Sequence, residues 1–141
     1  MRTKNLFLKK FKNKKGSAIV EMAMVMVIYI WFIGFQISSF QIMHNKIMLN
    51  LSAYEAARAS IVIDENGNYD TATGVANGET MLSNAIGLSN TSIDVKSSGD
   101  YMTGVASGQT DLMFPIVDFH NGGITNKLDL TSEVSMRKER P

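Results

Sequence analysis

The sequence predicts an α+β fold in which one long N-terminal α-helix, membrane-spanning in its first half, precedes a small C-terminal domain with a short helix and a few antiparallel β-strands. Three observations carry this. From Met22 to Phe35 no residue is charged. A helical repeat then outlasts the apolar run: Phe40, Met43, Ile47, Leu51, Tyr54, Ala57 and Ile61 recur every three or four residues, with neither Pro nor Gly between Phe35 and Ile63. Beyond the turn-rich cluster Asp64-Glu65-Asn66-Gly67-Asn68, short alternating segments replace that repeat.

Those fourteen residues, 22–35, rise only ~21 Å at 1.5 Å per residue, too little to cross a bilayer alone. Extended over residues 17–43 the helix reaches ~40 Å, enough for the hydrocarbon core, with Glu21, Gln36, Ser38, Ser39 and Gln41 as its polar interruptions. Residues 44–63 continue as an extracytoplasmic amphipathic part, for a helix of ~70 Å ending at the polar cluster. The stripe from Phe40 to Ile61 is expected to be a packing seam, against the chain's own domain or against a neighbouring subunit. A secretory signal fits less well, because no small-x-small cleavage site closely follows the apolar run.

Residues 64–141 should form the small domain. A second helix is expected from Thr71 to Leu88 with Asp70 as its N-cap, weakened by Gly74, Asn77 and Gly78. Strands are expected over Ser92–Lys96, Leu112–Phe119 and Leu128–Met136, the last two joined as a hairpin through Asn121-Gly122-Gly123. Pro115 implies an edge or irregular start for the first strand of that hairpin. Leu128, Leu130, Val134 and Met136 share a face of its partner, provided Ser132 is tolerated there. Residues 73–80 and 103–110 echo one another, identical at six of eight positions, without an evident function.

Charge is unevenly spread. Residues 1–16 hold seven of the fourteen Lys and Arg residues and no acid, so the remaining 125 residues carry a formal charge of −6. A basic block abutting an apolar span follows the positive-inside rule rather than nucleic-acid binding: the N-terminus is expected in the cytoplasm and the domain outside. With no cysteine there is neither a disulfide framework nor a thiolate metal site.

An enzyme is hard to build from this inventory, and no cofactor or metal is expected. The two histidines, His44 and His120, are distant in sequence. Asp118 and His120 could share a strand face, but a metal site needs further ligands. Ser38 and Ser39 lack a nucleophile motif, and the methionines Met22, Met24, Met26, Met43 and Met48 suit adaptable packing better than soft-metal binding. His44 reads as an interfacial polar residue.

Glu21 is the residue that points to function. A carboxylate within an apolar span is costly and usually has a partner. Cleavage after Gly16 would supply one: Ser17 would gain a free ammonium, and Glu21, one turn along, could pair with the N-terminus of a neighbouring subunit.

These residues also carry a family resemblance. Lys15-Gly16-Ser17-Ala18-Ile19-Val20-Glu21 resembles the class III leader and processing site of type IV pilin-like proteins. Ala53-Tyr54-Glu55-Ala56-Ala57-Arg58-Ala59 resembles the Ala-rich, Arg-containing helix that follows the membrane segment in TadE-like pseudopilins of tight-adherence pili, and Leu128–Arg137 is similar to that family's last strand. The resemblance implies a single-pass subunit cut by a prepilin peptidase between Gly16 and Ser17. It would join other pilin and pseudopilin subunits at the pilus assembly platform, in a system for surface adhesion. Met22, where major pilins usually have Tyr, and the 125 residues left after cleavage point to a minor component. Two rivals are a pseudopilin of a type II secretion or competence system and an uncleaved anchor with a binding or sensory domain.

Overall fold

A run of large apolar side chains with good helix formers and no Pro has one low-cost conformation in lipid, the α-helix, which satisfies its own backbone polar groups. In the computed structural model this run lies within helix α1, Lys14–Ser60, 47 residues long. The structure describes residues 14–63, 68–118 and 122–138. The chain divides into two compact units, Met1–Gln36 and Ile37–Pro141.

In the first unit α1 is apolar on every side. Ile19, Met22, Met24 through Ile33 and Phe35 are all exposed, and the Trp31 and Phe35 rings stack at 6.4 Å. A helix hydrophobic all round is made for lipid or a protein interior. Among the described residues, α1 is the one helix long and apolar enough to cross a membrane.

The second unit combines the rest of α1 with helix α2 (Thr71–Leu82) and strands β1 (Leu88–Ser98), β2 (Tyr101–Asp118) and β3 (Gly123–Arg137). The strands form an antiparallel sheet in the order β1-β2-β3. Asp70 caps α2: its carboxylate accepts the Thr73 amide at 2.9 Å and the Thr73 hydroxyl at 2.6 Å. The helix stops at Leu82 rather than the expected Leu88. Ser83 turns its hydroxyl onto the Thr80 carbonyl, competing with helix continuation.

Strand β2 begins well before the expected Leu112, because residues 103–110 are extended. The echo thus takes two conformations: residues 73–80 are helical in α2, while residues 103–110 form the middle of the sheet. Each copy sets a glycine against α1. A Cβ on Gly104 would run into the Ala53 carbonyl oxygen, and one on Gly74 would meet Ser60 and the Ala56 carbonyl. Tertiary contact, not local propensity, decides which copy is helix and which is strand.

Pro115 lies in an irregular stretch, as expected. The β2–β3 register shifts between Asp111 and Ile116, and β1 pairs with β2 only as far as Thr110. Pro115 therefore has no β1 residue opposite it to lose a hydrogen bond with. Gly122, with φ of 67°, occupies the left-handed region just before β3. The polar cluster at residues 64–67, together with Phe119, His120 and Asn121, lies outside the described residues, as do residues 1–13.

On β3, Leu128, Leu130, Val134 and Met136 alternate inward with Ser132, whose hydroxyl donates to Asn50 Oδ1 at 3.0 Å. The core clusters Leu49, Ala53, Leu82 and Ala106, with Leu88, Ile93, Leu130 and Val134 packed against it.

Candidate functional site

The head of α1 holds the expected processing and assembly residues. The helix already includes Lys14, so the Gly16–Ser17 peptide bond sits in its first turn, where backbone N–H groups have no partner inside the helix. Ser17 Oγ donates to Glu21 Oε1 at 2.9 Å, and both side chains are exposed. Hydrolysis of the Gly16–Ser17 bond would leave a carboxylate on Gly16 and an ammonium on Ser17, next to a carboxylate already engaged with the same residue.

Gly16 itself is unexplained by the fold. A Cβ there would meet nothing within 4 Å, although Gly inside a helix costs about 1 kcal/mol relative to Ala. At Gly104, by contrast, the missing side chain is required by packing.

The stripe expected as a packing seam is mostly uncovered. Phe40, Met43, Ile47, Leu51 and Tyr54 are exposed, Ile61 is half-buried, and Ala57 alone is fully buried. As a seam against the chain's own domain, the expectation is corrected. The face of α1 that meets the sheet and α2 consists of Ser38, Asn45, Leu49, Ser52, Ala53, Ala56 and Ser60, all with no exposure. The two stripes are offset by two positions, about 200° around the helix. Large side chains attract attention in a sequence, but the backbones of β2 and α2 approach too closely for them. The missed signal was the recurrence of small residues on α1 together with the glycines of the echo.

Buried polar groups on that face are paired. Asn45 Nδ2 donates to the Ile86 carbonyl at 2.8 Å and to Thr110 Oγ1 at 3.1 Å, while its Oδ1 accepts the Ile86 amide at 3.2 Å. Ser52 and Ser60 donate back to the Met48 and Ala56 carbonyls. His44 is half-buried, stacked on Phe40 at 6.5 Å, with its Nε2 unpartnered.

Among the described residues no three His, Asp or Glu side chains gather as a metal site would need; His120 lies outside them. The Asp70 carboxyl is held below its ordinary value, first by the Thr73 hydroxyl and then by the Thr73 amide.

A long apolar N-terminal helix followed by a small antiparallel sheet domain is the layout of pilin-like proteins. In comparisons with known proteins, no family model, no curated protein and no solved structure matches this chain.

Proposed function

We propose that this chain is a membrane-anchored structural subunit, a TadE-like minor pilin or pseudopilin. Prepilin peptidase cuts it between Gly16 and Ser17, and it acts in assembly of a tight-adherence pilus and in surface adhesion. The observation that carries the reading is the head of α1. Gly16 is a glycine the fold does not need, and it stands directly before a serine bonded to the only acidic residue of residues 17–43. A requirement outside the fold, close approach by a peptidase, accounts for it.

In this reading the basic N-terminus stays in the cytoplasm and the domain lies outside. The Ser17 ammonium of one subunit pairs with Glu21 of its neighbour, replacing the hydroxyl contact within one chain by a charge-assisted contact between two. The exposed stripe of Phe40, Met43, Ile47, Leu51 and Tyr54 is apolar surface available to other pilin subunits. The partners are the membrane, the peptidase, those subunits and the assembly platform.

The test is the mass of the N-terminal peptide from cells with and without the processing peptidase. A peptide starting at Ser17 only when the peptidase is present supports the reading. Recovery of Met1-containing protein alone in both cells overturns it.

A further inference from the structure

We propose that the β2–β3 hairpin, around Met113, Phe114 and Ile124, rests in the lipid interface of the bilayer and gives the domain a second membrane contact beside α1. The proposal relies on residues 17–43 spanning the membrane, but not on processing or pilus assembly.

The first support is the direction of β2. Thr110 meets Asn45, the Asp111 carbonyl and the Met113 amide meet Gln41, and the Phe114 carbonyl meets Ser38. Each step along β2 is thus a step back along α1, toward Ile37. Ser38 lies within residues 17–43, three residues past Phe35, and three residues reach at most about 11 Å in any conformation. The Ser38 contact therefore keeps the Phe114 carbonyl beside the C-terminal part of residues 17–43.

The second support is how this part of β2 satisfies its backbone. β1 pairs no further than Thr110; the Asp111 amide still donates to the Gly87 carbonyl at 2.9 Å, and beyond it β2 has no strand partner on that side. Side chains of α1 take over: Gln41 Nε2 donates to the Asp111 carbonyl at 2.7 Å, Gln41 Oε1 accepts the Met113 amide at 3.4 Å, and Ser38 Oγ donates to the Phe114 carbonyl at 3.0 Å. Pairing such groups within the protein is what a segment at lipid depth requires.

The third support is the surface. Met113 is 73% exposed and Ile124 77%, with Phe114, Ile37 and Phe40 also exposed. No Lys, Arg, Asp or Glu occurs from Leu112 to Val117 or from Gly122 to Asn126. The opposite end of the sheet is charged, with Asp94–Lys96 and Asp100–Arg137 ion pairs. Thr125, Asn126 and the Asp111–Lys127 ion pair that flanks this stretch set the depth at the headgroup boundary rather than the hydrocarbon core.

Because the chain has no cysteine, single substitutions place one probe each. Val25→Cys, Met113→Cys, Ile124→Cys and Tyr101→Cys variants of the full chain are nitroxide-labelled in vesicles of phosphatidylcholine with phosphatidylglycerol. Spin relaxation is then read with oxygen, which concentrates in lipid, and with a water-soluble nickel complex. The expected result is several-fold preference for oxygen at positions 25, 113 and 124, and for nickel at 101. Nickel preference at 113 and 124 with oxygen preference at 25 overturns the proposal while leaving the span intact. Shielding of 113 and 124 from both reagents also overturns it, in favour of a protein contact. Nickel preference at 25 removes the span, and the proposal with it.

Discussion

The side chains of Asn45 and Thr110, both with no exposure, lie 3.1 Å apart where α1 crosses the centre of the sheet. Asn45 also holds both backbone groups of Ile86, so one amide ties α1, β2 and the segment before β1 together. Asn45→Ala should destabilise the domain by about 2–3 kcal/mol, because several buried polar groups lose their partner at once. Thr110→Val should cost less, since it releases a single bond. Thermal melts of the detergent-solubilised chain check the order; equal melting temperatures for Asn45→Ala and the parent would show that water replaces the amide.

Glycine substitutions separate structural from functional need. Gly104→Ala pushes a methyl into the Ala53 carbonyl, backbone that cannot step aside, and should cost about 2 kcal/mol or more. Gly16→Ala meets open space and should leave the melting temperature unchanged or raise it. The larger Gly16→Leu should fold equally well yet block appearance of the Ser17 N-terminus. Normal processing of Gly16→Leu would remove the reason for a glycine there.

The α2 cap should make that helix sensitive to acid. The Thr73 hydroxyl and amide bonds lower the folded-state value of Asp70, so the unfolded chain binds its proton at higher pH than the folded one. The contribution is therefore complete above the ordinary carboxylate value and is lost as pH falls through the lowered one. Hydrogen exchange at the Thr73 amide should accelerate over that acid window, relative to an amide in β2. In Asp70→Ala the same amide should lack this protection, relative to the β2 amide, at every pH.

The sequence makes the long helix legible because its period and its charge-free run are local properties. The Asp70 cap and the inward face of β3 are legible for the same reason. The start of β2 is not: residues 103–110 are nearly identical to residues 73–80, yet one segment is strand and the other helix. No window of that length can distinguish them; the choice comes from what packs on α1. The domain-facing side of α1 is not legible because Phe40, Met43 and Ile47 outweigh Ser38, Asn45 and Ser52 in hydrophobicity. Only the sheet's closeness reverses their order of importance. Gly16, Ser17 and Glu21 are readable as a group from spacing, and their bond at 2.9 Å follows from an i, i+4 relation.

Glu21 gives the sharpest test of the assembly role. Within one chain its bond to the Ser17 hydroxyl is exposed and weak, so the fold loses little without it. Glu21→Leu removes a group that is costly in lipid, and insertion should be unchanged or improved. Processing should also persist, because Gly16 and Ser17 remain. Docking to a neighbouring subunit, however, should weaken roughly tenfold, from about 1.5 kcal/mol for a lost hydrogen bond to a charged group. The variant should therefore be cut, membrane-resident and poorly crosslinked to pilus subunits, with defective piliation. Glu21→Asp should recover only part of the crosslinking, since the shorter side chain reaches less far toward the ammonium. Parental crosslinking and piliation in Glu21→Leu would reduce the residue to a marker of the membrane surface, and the pairing with Ser17 of the neighbour would have to be abandoned.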